Sequence, residues 1–404
     1  MKSCFSVADI LLPKNDKFAQ WAVIACDQFT SDRSYWDRVE AFVGDNDSTF
    51  HLVFPEIDLE NDPAKRIETI HAKMQEALNK DVFTEYKNAF IYVERTLQNG
   101  TVRPGIVGTV DLEQYHYDPK QKPNIGATEQ TVLERIPPRI AVRRNAPLEF
   151  PHIILFCNDE KGRIINRISA RKAQLPKLYD FDLMENGGHI CGWLVDGEEA
   201  KLLQAELDSY SVENADKTAF LVADGNHSLV TAKTWYEELK ANNPDKDLSN
   251  HPARYAMVEL ENILDDSICF EPIHRVIFDT DTRQLLNDMQ SICSVDGVQL
   301  TCIIGRKKQT ICLDVPEGEL AVAVLQRFLD TWLKNHKGRI DYIHDTEAVE
   351  AFAQQPDTIG ILLPSFDKSA LFAFGATGHI LPRKTFSLGH SREKRYYMEG
   401  RKIK

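Results

Sequence analysis

The sequence predicts an α+β protein, in which mixed sheets carry packed helices. Three observations predict it. Short β-branched runs such as Phe90–Arg95 and Thr101–Val110 alternate about Gly100, as the two arms of a hairpin do. Other stretches repeat apolar residues at helical spacing, with Ile67, Ile70, Met74 and Leu78 on one face. Finally, the two periodicities are interleaved, because strand, helix, strand, turn and helix follow one another between Ile190 and Lys240.

Composition bounds what such a fold is for. The 404 residues are 43% hydrophobic and 27% charged, enough for two or three domains. The division expected is 1–265, an α+β domain, followed by 266–404, a second α+β unit with a basic tail. A net charge of −13 argues against a nucleic-acid or anionic-membrane binder, because neutralising phosphates takes a basic face. None of the eight cysteines forms a Cys-x-x-Cys pair, which argues against a zinc ribbon or redox motif. No signal peptide or membrane-length apolar run is read, so a cytoplasmic chain with reduced thiols is expected.

Taken in order, Trp21–Ala25 reads as a buried strand, Cys26-Asp27-Gln28 as a loop, and 29–43 as a helix. Asp27 is a candidate site residue, with helix capping as its structural alternative. Asp62-Pro63 starts the next helix with a cap and a first-turn proline. Gly105 and Gly108 in the second hairpin arm imply a bulge or a close backbone approach to a ligand. Arg135, Arg139, Arg143 and Arg144 form a basic stripe, although Pro137-Pro138 should interrupt a regular helix there. Two readings stay open for the stripe. The arginines either pair with Glu134, Glu149 and other acids, or clamp a phosphate while nearby Glu129 acts as base. His152 and His189, beside apolar strands, read as satisfied structural residues. Glu198–Ser209 is an amphipathic helix on Leu202, Leu203 and Leu207.

The chain then reaches its organising stretch. Thr218–Ala223 is a buried strand, Asp224-Gly225-Asn226-His227 a polar turn, and Leu229, Ala232, Tyr236 and Leu239 one face of a helix starting near Ser228 or Leu229. Such a junction aims the free N–H groups of a first helical turn at an anion. Simple capping by Asp224 and Ser228 is the alternative, which leaves His227 without a reason. Beyond it, 255–260 and 273–277 are strands, and Arg275 beside His274 requires a partner for its buried charge. The last third has a hairpin (298–304 and 309–315) in which Cys302 and Cys312 face each other, a helix on Leu320, Val324, Phe328 and Trp332, and strands at 359–363 and 370–374. The basic tail reads by default as solvated, but the interleaved Phe386, Tyr396 and Tyr397 argue that it packs onto the body and supplies a cation to the site or a partner.

Ala223-Asp224-Gly225-Asn226-His227 resembles the Asp-Gly-His-His-Arg turn of sulfiredoxin- and ParB-like folds, including free serine kinases. The whole chain resembles the domain-of-unknown-function 1015 family, whose members carry Ala-Asp-Gly-His-His-Arg there and a Tyr-Asp pair in place of Cys26-Asp27. Matching stretches are Gly105–Gly108, Thr128-Glu129, Pro151-His152, Pro272–Arg275 and Leu381–Thr385. This resemblance implies a ParB/sulfiredoxin-like core and a phosphotransferase acting on a small hydroxyl-bearing metabolite such as free serine or phosphoserine. Asp224 and His227 would line the phosphate turn with Gly225, Asn226 and Ser228, and Glu129 or Asp27 would be the base. His274 and Arg275 would hold phosphate, with Arg139, Arg143 and Lys384 as further cations. Mg2+ and a nucleotide are the cofactors implied, and a phosphorylated small molecule the partner. One departure stands out: Ser228 occupies the motif arginine's place, so either Arg275, Arg143 or Lys384 replaces that charge or the site is retuned towards another ligand. A nucleotide-binding regulator without turnover and a metal-dependent phosphatase are the alternatives.

Overall fold

A computed structural model describes residues 2–24, 29, 32–58, 63–117, 123–128, 136–150, 153–343, 346–365, 367–368, 371–372, 381–382, 384–389 and 394–404. The chain forms two compact units, one of 1–127, 131–268 and 390–404, the other of 128–130 and 269–389. The tail thus belongs with the first unit, although it follows the second in sequence.

The architecture is α+β with mixed sheets. In the first unit an 11-stranded sheet runs through Lys177–Asp182, His189–Val195, Phe83–Thr96, Val102–Asp111, Tyr255–Asn262, Ile154–Cys157, Phe220–Asp224, Ile125–Ala127 and Tyr115–His116. Phe5–Ser6 and Ala8–Pro13 pair at its side. Ile154–Cys157 is buried throughout, which explains why it reads as a continuous apolar run. The hairpin about Gly100 forms as its alternation predicts, with Thr96 opposite Val102 and Gly100 at φ 82°. Gly105 and Gly108 mark close approaches by the protein's own groups. A Cβ at Gly105 would lie 2.5 Å from Glu259 Oε1, and one at Gly108 2.7 Å from Phe5 Cζ.

Some local expectations change. Residues 18–21 form a helical turn, so the strand there shrinks to Val23–Ile24; the first long helix starts at Arg33. Pro137 and Pro138 do not interrupt the helix Ile136–Asn145 but sit in its first turn, where a missing N–H costs no hydrogen bond. The helix after Asp62 spans Pro63–Asn79 and buries Ile70 and Met74.

Within the second unit, a five-stranded antiparallel sheet runs Lys307–Leu313, Cys293–Ile304, Ile359–Leu362, His274–Phe278, Arg339–Ile343. Leu285 and Met289 of one helix, with Leu325 and Leu329 of another, share a core with Ile277, Leu300 and Ile361. Cys302 and Cys312 do not face each other. Cys302 pairs with Gln309 and Cys312 with Gln299, which puts their side chains on opposite faces of the ladder. Of the strand expected at 370–374, residues 370, 373 and 374 lie outside the described residues, and Leu371 and Phe372 are helical.

The tail is woven into the first unit. Tyr396–Tyr397 pairs with Val23–Ile24, Arg401–Lys402 with Leu148–Glu149, and Gly400 bridges Leu11. Trp21 donates its indole N–H to Met398 O over 2.8 Å. Tyr396, Tyr397, Met398 and Ile403 are all buried, so this basic run is not a solvated arm.

Candidate functional site

The strand Phe220–Asp224 is buried through Ala223 because it is an interior strand, flanked by Ile154–Cys157 on one side and Ile125–Ala127 on the other. Asp224 is its last residue. Gly225 then adopts φ 78° and ψ 25°, the left-handed region that a side chain disfavours, and the chain turns directly into the helix Asn226–Ala241. That helix starts two residues before Ser228. A glycine cap carries no side-chain acceptor for the first helical turn. Positive charge of order half a unit gathers at such a terminus.

The turn's side chains are half-buried. Asp224 Oδ1 accepts from the Gly225 amide at 3.0 Å, while Oδ2 faces Lys394 Nζ at 3.1 Å. Lys394 is 12% exposed and Asp224 19%, so this is a largely desolvated ion pair. Asn226 Oδ1 is buried and has no hydrogen-bond partner among the described residues. His227 and Ser228 flank it on the first helical turn, and the His227 carbonyl accepts from Thr231 Oγ1 at 2.7 Å.

Lys394 is the residue that sequence reasoning did not single out. It was legible only as one of several cations in a tail whose aromatics argued for docking. Which cation lands on Asp224 depends on the pairing of Tyr396 with Ile24, a contact across most of the chain's length.

The remaining candidates are placed as follows. Arg143 bonds Glu149 Oε2 at 2.5 Å and lies over the Trp235 ring, 5.5 Å from its centroid. Trp235 is nine residues into the helix, roughly 14 Å along its axis from Asn226 at 1.5 Å per residue. Arg144 meets Glu238 at 2.8 Å. Both arginines therefore follow the acid-pairing alternative. Arg139 is half-buried on the same helix. In the second unit, His274 is buried, with Nδ1 accepting the Leu363 amide at 3.1 Å and Nε2 3.2 Å from Thr346 Oγ1. Arg275 is fully buried; it donates to Gln326 Oε1 at 2.9 Å and to the Ile273 and Lys384 carbonyls, and covers the Tyr342 ring. Lys384 has φ 58° and an exposed side chain. Glu129 and Asp27, the two candidate bases, lie outside the described residues, as do Arg135 and His152.

A sequence profile described as "Protein of unknown function (DUF1015)" matches residues 7–357. No curated protein sequence matches the chain. Solved structures similar to it include a conserved hypothetical protein from Pyrococcus furiosus, with TM-score 0.38, 10% identity, and coverage of 74% of this chain and 95% of that one. A free serine kinase in complex with AMP gives TM-score 0.39, 10% identity and coverage of 72% and 90%. SbnI from Staphylococcus aureus, with a C-terminal truncation, gives TM-score 0.37, 8% identity and coverage of 70% and 83%.

Proposed function

We propose that this chain, which belongs to the DUF1015 family, is a phosphotransferase acting on a small hydroxyl-bearing metabolite of the serine or phosphoserine kind. One observation carries the reading: a buried strand ends in Asp224, a left-handed glycine follows, and a 16-residue helix begins at once with Lys394 beside the carboxylate. Phosphoryl transfer is largely positioning and charge stabilisation, and this turn supplies both. The positive end of the helix would face the phosphate oxygens. Lys394 offsets the Asp224 charge, so that the helix's positive end is not cancelled, and stands in for the arginine that Ser228 replaces.

A sequence relation supports Asp27 as the base, with Glu129 the alternative that the resemblance implies. Asp27 follows Ile24 by three residues, and Ile24 pairs with Tyr396, two residues past Lys394. Either carboxylate would take the proton from the attacking hydroxyl. The donor set also fits a nucleotide phosphate with Mg2+: Asn226 Oδ1, which has no partner among the described residues, and Asp224 would hold it. When bound, the ion neutralises charge on the transferring group.

Calorimetric titration of the full chain with ADP, ATP and phosphoserine tests this, alongside unphosphorylated serine and adenosine. The expected result is binding of the phosphorylated ligands, weakened more than tenfold in Lys394→Ala, as for a lost charge-assisted hydrogen bond of roughly 1.5–3 kcal/mol. Ser228→Arg should restore part of that loss. Affinities that ignore both substitutions in a folded protein would remove the turn as a phosphate site. Phosphate binding without transfer to serine would favour the regulatory alternative.

A further inference from the structure

At the opposite edge of the same sheet, the hairpin of Lys177–Asp182 and His189–Val195 collects four groups that the proposed phosphate chemistry does not use. Cross-strand register sets Asp180 opposite Cys191 and Asp182 opposite His189. All four therefore share one face, while Tyr179 and Ile190 are buried and lie on the other. Asp180 Oδ1 lies 2.7 Å from His189 Nε2, and Asp182 Oδ1 lies 2.6 Å from His189 Nδ1. One ligand atom each of Asp180, His189 and Cys191 falls within 4.8 Å of the others.

We propose that Asp180, His189 and Cys191 bind a single zinc-class divalent cation, with Asp182 as the positioning residue behind the His189 ring. The ligand types are those of zinc: thiolate sulfur, imidazole nitrogen and carboxylate oxygen. Metal–ligand bonds of about 2.0–2.3 Å set tetrahedral ligand–ligand edges near 3.5 Å, so side-chain rotation closes this triangle without moving the strands. Orientation favours the site as well as proximity. A metal-bound histidine characteristically donates its other ring N–H to a carboxylate, which fixes ring and tautomer, and Asp182 already holds Nδ1 in that way.

The rest of the hairpin is built to hold this geometry. Lys177 Nζ takes the other oxygen of Asp180 at 2.5 Å, leaving Oδ1 directed at His189. Beneath, Tyr179 packs so closely on Gly192 that a Cβ there would lie 2.2 Å from its ring. The Tyr179 hydroxyl bonds Glu399 at 2.5 Å, and Tyr396 bonds the Met184 carbonyl in the connecting loop at 3.0 Å. Asp180 and His189 side chains are 42% and 36% exposed, which gives an ion an entry path and leaves the fourth coordination position to water. On binding, the thiol proton is released to solvent and the imidazole binds neutral through Nε2.

The probe is Co2+, titrated into the full chain after chelator treatment and followed by absorbance. We expect saturation at one ion per chain, with a cobalt–thiolate charge-transfer band and tetrahedral ligand-field bands, both abolished by excess Zn2+. Cys191→Ser should lose the charge-transfer band, His189→Ala should weaken binding at least tenfold, and Asp182→Asn should weaken it about 10–100-fold with the band retained. The variants touch partly exposed groups, so near-ultraviolet circular dichroism should remain unchanged. Failure to saturate at millimolar Co2+, or a charge-transfer band that survives in Cys191→Ser, would overturn the site. Neither outcome bears on the phosphate turn, which shares none of these residues.

Discussion

Glu149 is 7% exposed, yet it accepts from Arg143 at 2.5 Å, from Arg401 at 3.0 Å and from the Met257 amide at 3.0 Å. Burial pushes its carboxyl up, but Arg143 and Arg401 outweigh that and hold it below the ordinary value. Removing it strands two buried guanidinium groups, so Glu149→Ala should cost about 3–5 kcal/mol in urea unfolding. A depressed folded value stabilises above the unfolded value and is lost on acidification through the folded one, so the variant's deficit should shrink at low pH. Glu261 behaves in the opposite sense. Burial first, then Glu259, raise it from 4.5 to about 7 against the pull of Arg95 and Arg103. Its contribution is present below the unfolded value and is lost as pH rises through about 7. Glu261→Gln should therefore compare more favourably with the parent at about pH 8 than at about pH 5, read as urea midpoints. An equal difference at both would mean that Glu261 does not change its ionisation between those two pH values.

Two elements carry the organisation of the first unit. One is the strand–glycine–helix junction. Because Gly225 sits at φ 78°, Gly225→Ala should cost about 1–2 kcal/mol from backbone strain alone, and should weaken phosphorylated ligands by displacing the first-turn amides. The other is the tail 394–404. It pairs with strands on two sides, and its Arg395 reaches Glu259 at 3.3 Å and Glu399 at 2.9 Å. Deleting these residues removes apolar cover and takes one cation each from Glu259, Glu149 and Asp224. We expect a chain ending before Lys394 to lose most of its cooperative thermal transition, and a synthetic 394–404 peptide to restore part of it. A truncated chain that melts like the parent would show that the tail only decorates the surface.

At the scale of the whole molecule, the first unit is discontinuous, since its closing strands are made after the second unit. The second unit has its own sheet and apolar core over 269–389. A fragment of 269–389 should therefore give a dispersed amide spectrum alone, whereas 1–268 should require the tail peptide. Long-range closure of this kind also makes folding slow relative to chains with local contacts. Among the described residues no helix is long and apolar enough to cross a membrane.

What the sequence determined by itself was local: the α+β class, the hairpin about Gly100, the helix after Asp62-Pro63 and the turn from strand to helix at Asp224. These depend on periods of two and 3.6 residues and on turn chemistry, which neighbouring residues carry among themselves. Tertiary structure decided where charge is neutralised. Arg143 went to Glu149, Arg275 to Gln326 and backbone carbonyls, and Lys394, from 170 positions further along the chain, to Asp224. It likewise gave His189 two carboxylates and a thiol for neighbours. Ion pairs and ligand sets form between whichever groups the fold brings within a few ångströms, and no spacing along the chain encodes that distance.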